Sequence, residues 1–586
     1  MKTDKITIFD LFESRRRYLV PIFQRGYVWT KEWQWEPLWE DIADQAKLLQ
    51  SHKESTANII RKHFLGSIVL SYVPAGIRQV PASEIIDGQQ RLLTLQVFLT
   101  AFRDAISGLD DEFLKMHLAN LTSNSGPLVD NNEKYKVWPI NAYHEDLENI
   151  MNAGSPVALA GKYPQRRYYG KLIPPRPGLV DAYLYFYERI ESFLNGTDEE
   201  SEISLEQEVN SVMQKEQANI LFEALMRHVQ LVEIQLDAED DPQVIFETLN
   251  YRGVSLEPSD LIRNYIFLNA SRQDKDVNML YNQWWKDYDE VTDSTGKFWK
   301  EKERQGRLFR SRLDLFFFHY LTYRVGHEIK ISHLYQEFKE WWESSEQRSV
   351  ELELETAKRS SHKFRELIAP DGNQQLDIFA HRLKILDTTT VYPLLLWLCE
   401  NKNSLPEGDF DGILADLESY IVRRAICRLT PKNYNRIFLA LLVKISKEGL
   451  PNRASLRREL LSLQGDSAVW PDDETFKRSL IYEALYNSIS SRRVRLVLTA
   501  LELASRTSLQ ESLSLPINNS LTIEHVMPQG LKPEEWPYPE QESVDKQEQE
   551  SRRQTLLHSL GNLTLLTQPL NSEVSNCECQ VKIHPL

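Results

Sequence analysis

Cysteine is nearly absent from this chain, with 4 in 586 residues, at Cys399, Cys427, Cys577 and Cys579. Thiols so few and so scattered exclude a disulfide framework and make the reducing cytoplasm the expected compartment. Long apolar runs are missing too: no stretch of about 18 such residues occurs, so no membrane span is expected. The opening segment Met1–Ile8 has neither the apolar region nor the cleavage site of a signal peptide. Positive charge is in deficit, with 69 Lys and Arg against 85 Asp and Glu for a net charge of −16. That balance argues against nucleic-acid binding spread over the whole surface, because neutralising phosphates drives such binding. No internal repeat and no extended low-complexity tract is present.

The chain does hold enough residues for two to four domains, and its 41% apolar and 26% charged content is that of a globular protein. Its cations are clumped. Arg15-Arg16-Arg17 is one island, and Lys302 to Arg312, with Arg304, Arg307 and Arg310, is a second. Arg423-Arg424 with Arg428, and Arg492-Arg493 with Arg495, are two more. Each alone is more often a solvated helix face than a contact. An acidic total with basic islands is compatible with a DNA enzyme whose grip is confined to a groove.

Residues 1–275 mix short strand-like runs with helices, an α/β pattern in a chain that is mostly α overall. His63 to Val73 and Glu84-Ile85-Ile86 are apolar and β-rich. The second run leads into Asp87-Gly88-Gln89-Gln90-Arg91, and Leu92 to about Ile106 then has helical periodicity. The polar pentapeptide therefore sits where a strand hands over to a helix. Leu231 to Leu236 forms another such unit, with a helix opening at Asp240-Asp241-Pro242 and closing near Asn250-Tyr251-Arg252-Gly253. A further helix opens at Pro258 and runs through Leu268. Residues 276–485 read as almost wholly helical. Their aromatic residues (Trp284, Trp285, Phe316, Phe317, Phe318, Trp341, Trp342) suit core packing better than base stacking. Residues 486–586 form the last domain, in which the Glu- and Gln-rich segment Lys532–Arg553 reads as a long loop.

In that last domain Leu521-Thr522-Ile523 is a short β-like run ending in Glu524-His525, and Pro528 stops it. Leu560 to Leu566 is a second run, and Asn571 follows Asn562 by nine residues, at the expected start of a helix. Phosphodiester hydrolysis needs a water deprotonated near neutral pH, for which neutral imidazole is suited. It also needs a hard cation held through carboxylate and amide oxygens. Glu524, His525 and Asn571 supply one base and two oxygen ligands, and Asn562 can pin the hairpin or orient the imidazole. Taken singly, such a histidine is usually structural and such asparagines make turns.

In the N-terminal part, Gly88 lets a backbone approach closely, the following helix offers free N–H groups, and Arg91 can fork onto phosphate oxygens. A surface turn capped by Asp87 is the plainer alternative. Around this pentapeptide stand Val20-Pro-Ile-Phe-Gln24-Arg25-Gly-Tyr-Val-Trp29, Phe64-Leu-Gly-Ser-Ile68, Phe246 to Gly253 and Asp260-Leu-Ile-Arg-Asn264. No Gly-x-x-x-x-Gly-Lys-Ser/Thr is present, which removes a P-loop ATPase. Trp29, Trp33, Trp35 and Trp39 can either pack in a core or form a stacking wall for a base.

The ordered set Glu524-His525, Asn562 and Asn571 resembles the HNH branch of the His-Me finger nucleases, with their ββα-metal fold. It is most similar to the C-terminal domain of GmrSD-type, type IV restriction enzymes. The N-terminal blocks are similar to the N-terminal domain of the same family, with its ParB/sulfiredoxin-like fold, over most of residues 10–270. The resemblance implies His525 as general base, Glu524 and Asn571 facing a Mg²⁺ ion or another divalent metal, and Asn562 as the structural asparagine of the catalytic set. It further implies nucleoside triphosphate (GTP, ATP or other) binding and hydrolysis. Gln24, Arg25, Asp87, Gly88, Gln89, Gln90, Arg91, Asn250 and Arg252 are the candidate residues, with Asp87 holding a metal or orienting water.

The expected partner is double-stranded, modified foreign DNA, and a homodimer is plausible because one histidine site cuts one strand at a time. In one departure from the family, only 15 residues follow Asn571, fewer than the family usually has. Cys577-Glu-Cys579 lies among them. A nucleotide-hydrolysing sensor with a weakened nuclease is therefore the alternative, and a non-enzymatic helical interaction protein a more distant one.

Overall fold

In the computed structural model of the chain, the β-branched and aromatic run His63–Val73 becomes the longest strand of a mixed sheet. The structure describes residues 2–21, 24, 26–52, 61–74, 76, 79–126, 129, 133–139, 144–168, 171–173, 175–196, 211–237, 257–289, 294–345, 348–372, 374–447, 452–505, 521–527, 529–530 and 545–574. They fall into two units, Met1–Gly296 and Lys297–Leu586. The chain is mostly helical, with its mixed α/β sheet in the first unit. Among the described residues no helix is long and apolar enough to cross a membrane.

The first unit is built on β1 (Lys2–Thr7), β2 (Arg17–Val20), β3 (His63–Val73), β4 (Ala82–Asp87), β5 (Val137–Pro139) and β8 (Val229–Leu236), in the order β1-β8-β3-β4-β2-β5. A separate small hairpin joins β6 (Arg166–Tyr168) and β7 (Lys171–Ile173). Strand β2 runs parallel to β4 and β5, and β3 runs antiparallel to β4 but parallel to β8. Helix α1 (Gln89–Ala105) leaves β4 through the single residue Gly88 and is buried on almost every side. A helix that is apolar all round belongs in a core. This one packs on α2 (Gly178–Leu194), with the Phe98 and Phe186 rings 5.1 Å apart.

Most polar side chains of α1 find partners, as burial requires. Thr94 and Thr100 donate to the Gln90 and Gln96 carbonyls. Gln96 bridges the Thr122 carbonyl and the Val137 N–H. Asp104 takes Arg103 and the Tyr183 hydroxyl. Trp35 and Trp39 are buried in this core, Trp29 packs against it and Trp33 is exposed, so the four tryptophans make no continuous wall.

In the second unit the aromatic residues close the core. Phe316 is ringed by Trp299, Phe317, Tyr320 and Phe364 with centroids 5.0–6.0 Å away. Two expectations change here. The stretch read as almost wholly helical contains the hairpin β9 (Lys302–Gln305) and β10 (Leu308–Ser311). Its Gly306 has φ +58. A glycine free to take a left-handed turn between two short runs is a hairpin signal that the surrounding helical pattern obscured. The segment read as a long loop contains a helix, Lys546–Leu557, because Glu, Gln and Arg are good helix formers even without an apolar face.

Candidate active site

The second run of the last domain is β12 (Leu563–Thr567), preceded by one 3₁₀ turn, Leu560–Asn562. It pairs antiparallel with β11 (Leu521–His525), placing His525 opposite Leu563 and Glu524 opposite Thr564. Side chains alternate across a strand, so Ile523 and His525 share one face and Thr522 and Glu524 the other. The Ile523 face packs with Leu563 and Leu565 on Val494, Val497 and Leu498 of the helix Ser491–Ser505, and on Leu485 and Ile426.

His525 is 5% exposed. The Tyr486 ring meets it edge-on at 4.5 Å, and the His558 ring at 5.5 Å. Gln529 brings its Nε2 to 3.1 Å from His525 Nε2 and 3.3 Å from Nδ1. Tyr486 and His558 were not singled out from sequence. The available signal was His558 standing four residues before Asn562, but a lone histidine at a helix end is ordinary. Its Nδ1 is buried and has no hydrogen-bond partner among the described residues.

Asn562 acts as a clamp. Its Oδ1 accepts from the Met527 N–H at 2.7 Å, and its Nδ2 donates to the carbonyls of Met527 (3.1 Å) and Leu557 (2.8 Å). Its own carbonyl accepts from the Val526 N–H at 2.8 Å. These bonds fix the chain where it leaves His525, which makes Asn562 a positioning residue. Asn571, in the helix Gln568–Val574, donates from Nδ2 to Thr522 Oγ1 at 2.7 Å. That bond places Asn571 on the Glu524 face and leaves Oδ1 as its remaining polar atom. Glu524 and Asn571 therefore lie on one face of the hairpin, while His525 lies on the other at the strand's end. Residues 575–586, with Cys577 and Cys579, lie outside the described residues.

At the other constellation, Asp87 ends β4 and Gly88 caps α1 with φ +92. A Cβ on Gly88 would lie 2.8 Å from Ile68 Cγ2, so packing of this junction alone requires glycine. Gln90 accepts from the Val28 N–H at 2.9 Å and donates to the Gly26 carbonyl at 3.0 Å, holding the loop that carries Gln24. Gln24 donates to the carbonyls of Ile85 and Ile86 at the end of β4. Tyr27 extends the clamp, its hydroxyl 2.6 Å from Thr94 Oγ1 and accepting from Trp35 Nε1 at 2.8 Å.

The Arg91 guanidinium lies over Gly66, whose Cβ would come 2.8 Å from Nη2, and donates to the Ser67 carbonyl. Burial lowers the Arg91 pKa from its ordinary value while the neighbouring Asp87 charge opposes that shift. Gln89 is buried at the first turn. The loop, strand end and helix start thus converge on Asp87 and the N-terminus of α1. Arg25, Asn250 and Arg252 lie outside the described residues.

Both constellations fall inside matches to known families. The GmrSD restriction endonuclease N-terminal domain matches residues 8–267, and the GmrSD restriction endonuclease C-terminal domain matches residues 470–584. A search of curated proteins finds no significant match. With Asp87–Arg91 in the first and Glu524, His525, Asn562 and Asn571 in the second, the chain belongs to the GmrSD restriction endonuclease family, a type IV restriction endonuclease whose substrate is DNA.

Proposed function

We propose that this chain is a nucleotide-regulated, divalent-metal-dependent endonuclease that cleaves modified foreign DNA. It would have three parts: a sensing domain to about residue 275, a helical connector to about 485, and the nuclease. The observation that carries the reading is the Asn571–Thr522 bond, which sets an amide oxygen beside the Glu524 face at the end of the strand that bears His525. Two hard oxygen donors on one face fit Mg²⁺, which usually keeps several waters and takes one or two protein oxygens. When bound, such an ion neutralises charge on the scissile phosphate.

The rest falls to the chain's own side chains. His525 accepts the proton of the attacking water, and Tyr486 and His558 hold the imidazole in place. Asn562 fixes the backbone turn that carries it. In the first unit, the N-terminus of α1 together with Arg91 would hold the phosphates of a nucleoside triphosphate, Gln24 would brace the end of β4, and Asp87 would hold its metal or water.

The burial of His525 beneath Gln529 supports one second reading, a nucleotide-hydrolysing sensor whose nuclease is weakened. Cleavage of modified and unmodified phage DNA, with and without Mg²⁺ and each nucleotide, separates the two. Cutting that needs metal and modification, and is lost in His525→Ala, supports the endonuclease. Nucleotide turnover with no cutting under any condition supports the sensor.

A further inference from the structure

Most of the basic islands are consumed inside the fold. Arg16 and Arg17 pair with Glu233 and Glu133. Arg424 is fully buried and donates to the carbonyls of Val469, Thr430 and Asp466. Arg423 takes Asp473 and Arg428 takes Glu483, while Arg493 donates to the Leu386 carbonyl. Arg15 and Arg492 are then single exposed charges.

The hairpin β9–β10 is different. Lys302, Arg304, Arg307 and Arg310 are all exposed, and none has an ion pair among the described residues. Arg310 donates to the carbonyl of its neighbour Phe309. The nearby carboxylates are already spent at the base, where Arg312 binds Glu303 at 2.7 Å and Glu301 at 2.8 Å. Phe309, 56% exposed, stands opposite Arg304 in the register.

The hairpin is anchored at both ends, at Gln305 beside the turn and at Ser311 where the chain enters the next helix. Gln305 is buried and lies 2.7 Å from Nε2 of the buried His319. Ser311 caps the helix Arg312–Val325 by accepting from the Asp314 N–H. The Arg312 guanidinium also sits 4.3 Å over the Phe298 ring. A fold with a net charge of −16 thus holds in place a short ribbon whose outer side chains include uncompensated cations and an exposed aromatic ring.

We propose that the hairpin Lys302–Ser311 is a DNA-gripping element that lies against the backbone of duplex DNA, with Arg304, Arg307 and Arg310 on phosphates and Phe309 against the exposed edge of the sugars and bases. Phosphate contacts hold and orient the duplex and read no sequence, so this grip is separate from any recognition of a modified base. The inference rests on duplex DNA being the substrate.

The test is binding of a fluorescently labelled, unmodified duplex to the full-length protein in EDTA, across a salt series, so that nothing is cut. The combined variant Arg304→Gln/Arg307→Gln/Arg310→Gln is expected to bind roughly 10- to 100-fold more weakly near 0.15 M salt, with a log–log salt slope lower by about 2–3. Phe309→Ala is expected to weaken binding several-fold at an unchanged slope. Arg→Lys at the same three positions keeps the charges and is expected to retain the slope, showing that loss in the Gln variant is not misfolding. Wild-type affinity and slope in the Gln variant would overturn the hairpin's role alone. A wild-type protein that binds no duplex would overturn this inference and the DNA reading together.

Discussion

His525 is enclosed by Tyr486, His558 and Gln529, so its imidazole has little freedom to turn away from the strand end. Replacing it with alanine is expected to reduce DNA cleavage by about 10²- to 10⁴-fold, the usual contribution of a general base. Initial cleavage rates on modified phage DNA measure it, and near wild-type cutting would remove His525 from the role.

The two asparagines should separate by readout. Asn562→Ala strips three side-chain hydrogen bonds from the turn after β11 and should cost about 1–3 kcal/mol, seen as a lower unfolding midpoint along with lost cutting. Asn571→Ala loses its contact with Thr522 Oγ1 and should leave the midpoint nearly unchanged while raising the Mg²⁺ concentration needed for cleavage. Equal thermal effects in the two variants would contradict this division. The residue types and order of this set were legible in the sequence because the chemistry demands an imidazole and hard oxygen donors. Tyr486 and His558 were not, since a tyrosine and a histidine acquire meaning only when folding carries them to His525 from 39 and 33 residues away.

At the level of elements, the turn from β4 into α1 depends on one glycine. Gly88→Ala combines an unfavourable φ of +92 with a contact to Ile68, and should destabilise the first unit by more than about 1 kcal/mol in thermal or denaturant unfolding. The strands β3 and β4 and the helix after Gly88 could be read from periodicity and β-branching, because each is a single amphipathic or apolar run. The order of the sheet could not, since pairing β8 between β1 and β3 is a long-range choice with no local signature. The roles of Gln24 and Gln90 were hidden for a related reason. Their amides are occupied by backbone groups of neighbouring segments, which spacing alone does not disclose. The hairpin at Gly306 was masked by the helices on either side, whose patterns dominate any window long enough to detect them.

The second unit, taken whole, carries a built-in sensitivity to acid. Burial pushes the His319 imidazole down from 6.5 to about 3. The unfolded chain therefore takes up a proton below pH 6.5 that the folded chain refuses until about pH 3. The stabilising contribution is full above pH 6.5 and is lost as pH falls between those two values. Its slope reaches at most about 1.4 kcal/mol per pH unit. His319→Gln does not titrate and can keep the bond to Gln305, so its unfolding midpoint should fall less steeply from pH 6.5 to 5 than that of the wild type. Parallel curves would show that other groups govern the acid response.

The apolar seam beneath β11 and β12 also limits how the protein can be taken apart or have arisen. Leu563 and Leu565 are sealed by Ile426 and Leu485, which come from helices well before the β11–β12 hairpin in the chain. A fragment beginning after residue 485 would leave that seam open to water and forfeit its partners, so it is not an interchangeable cassette. Transplanting the β11–β12 hairpin onto another scaffold would require the last turns of Asp409–Ile426 to travel with it.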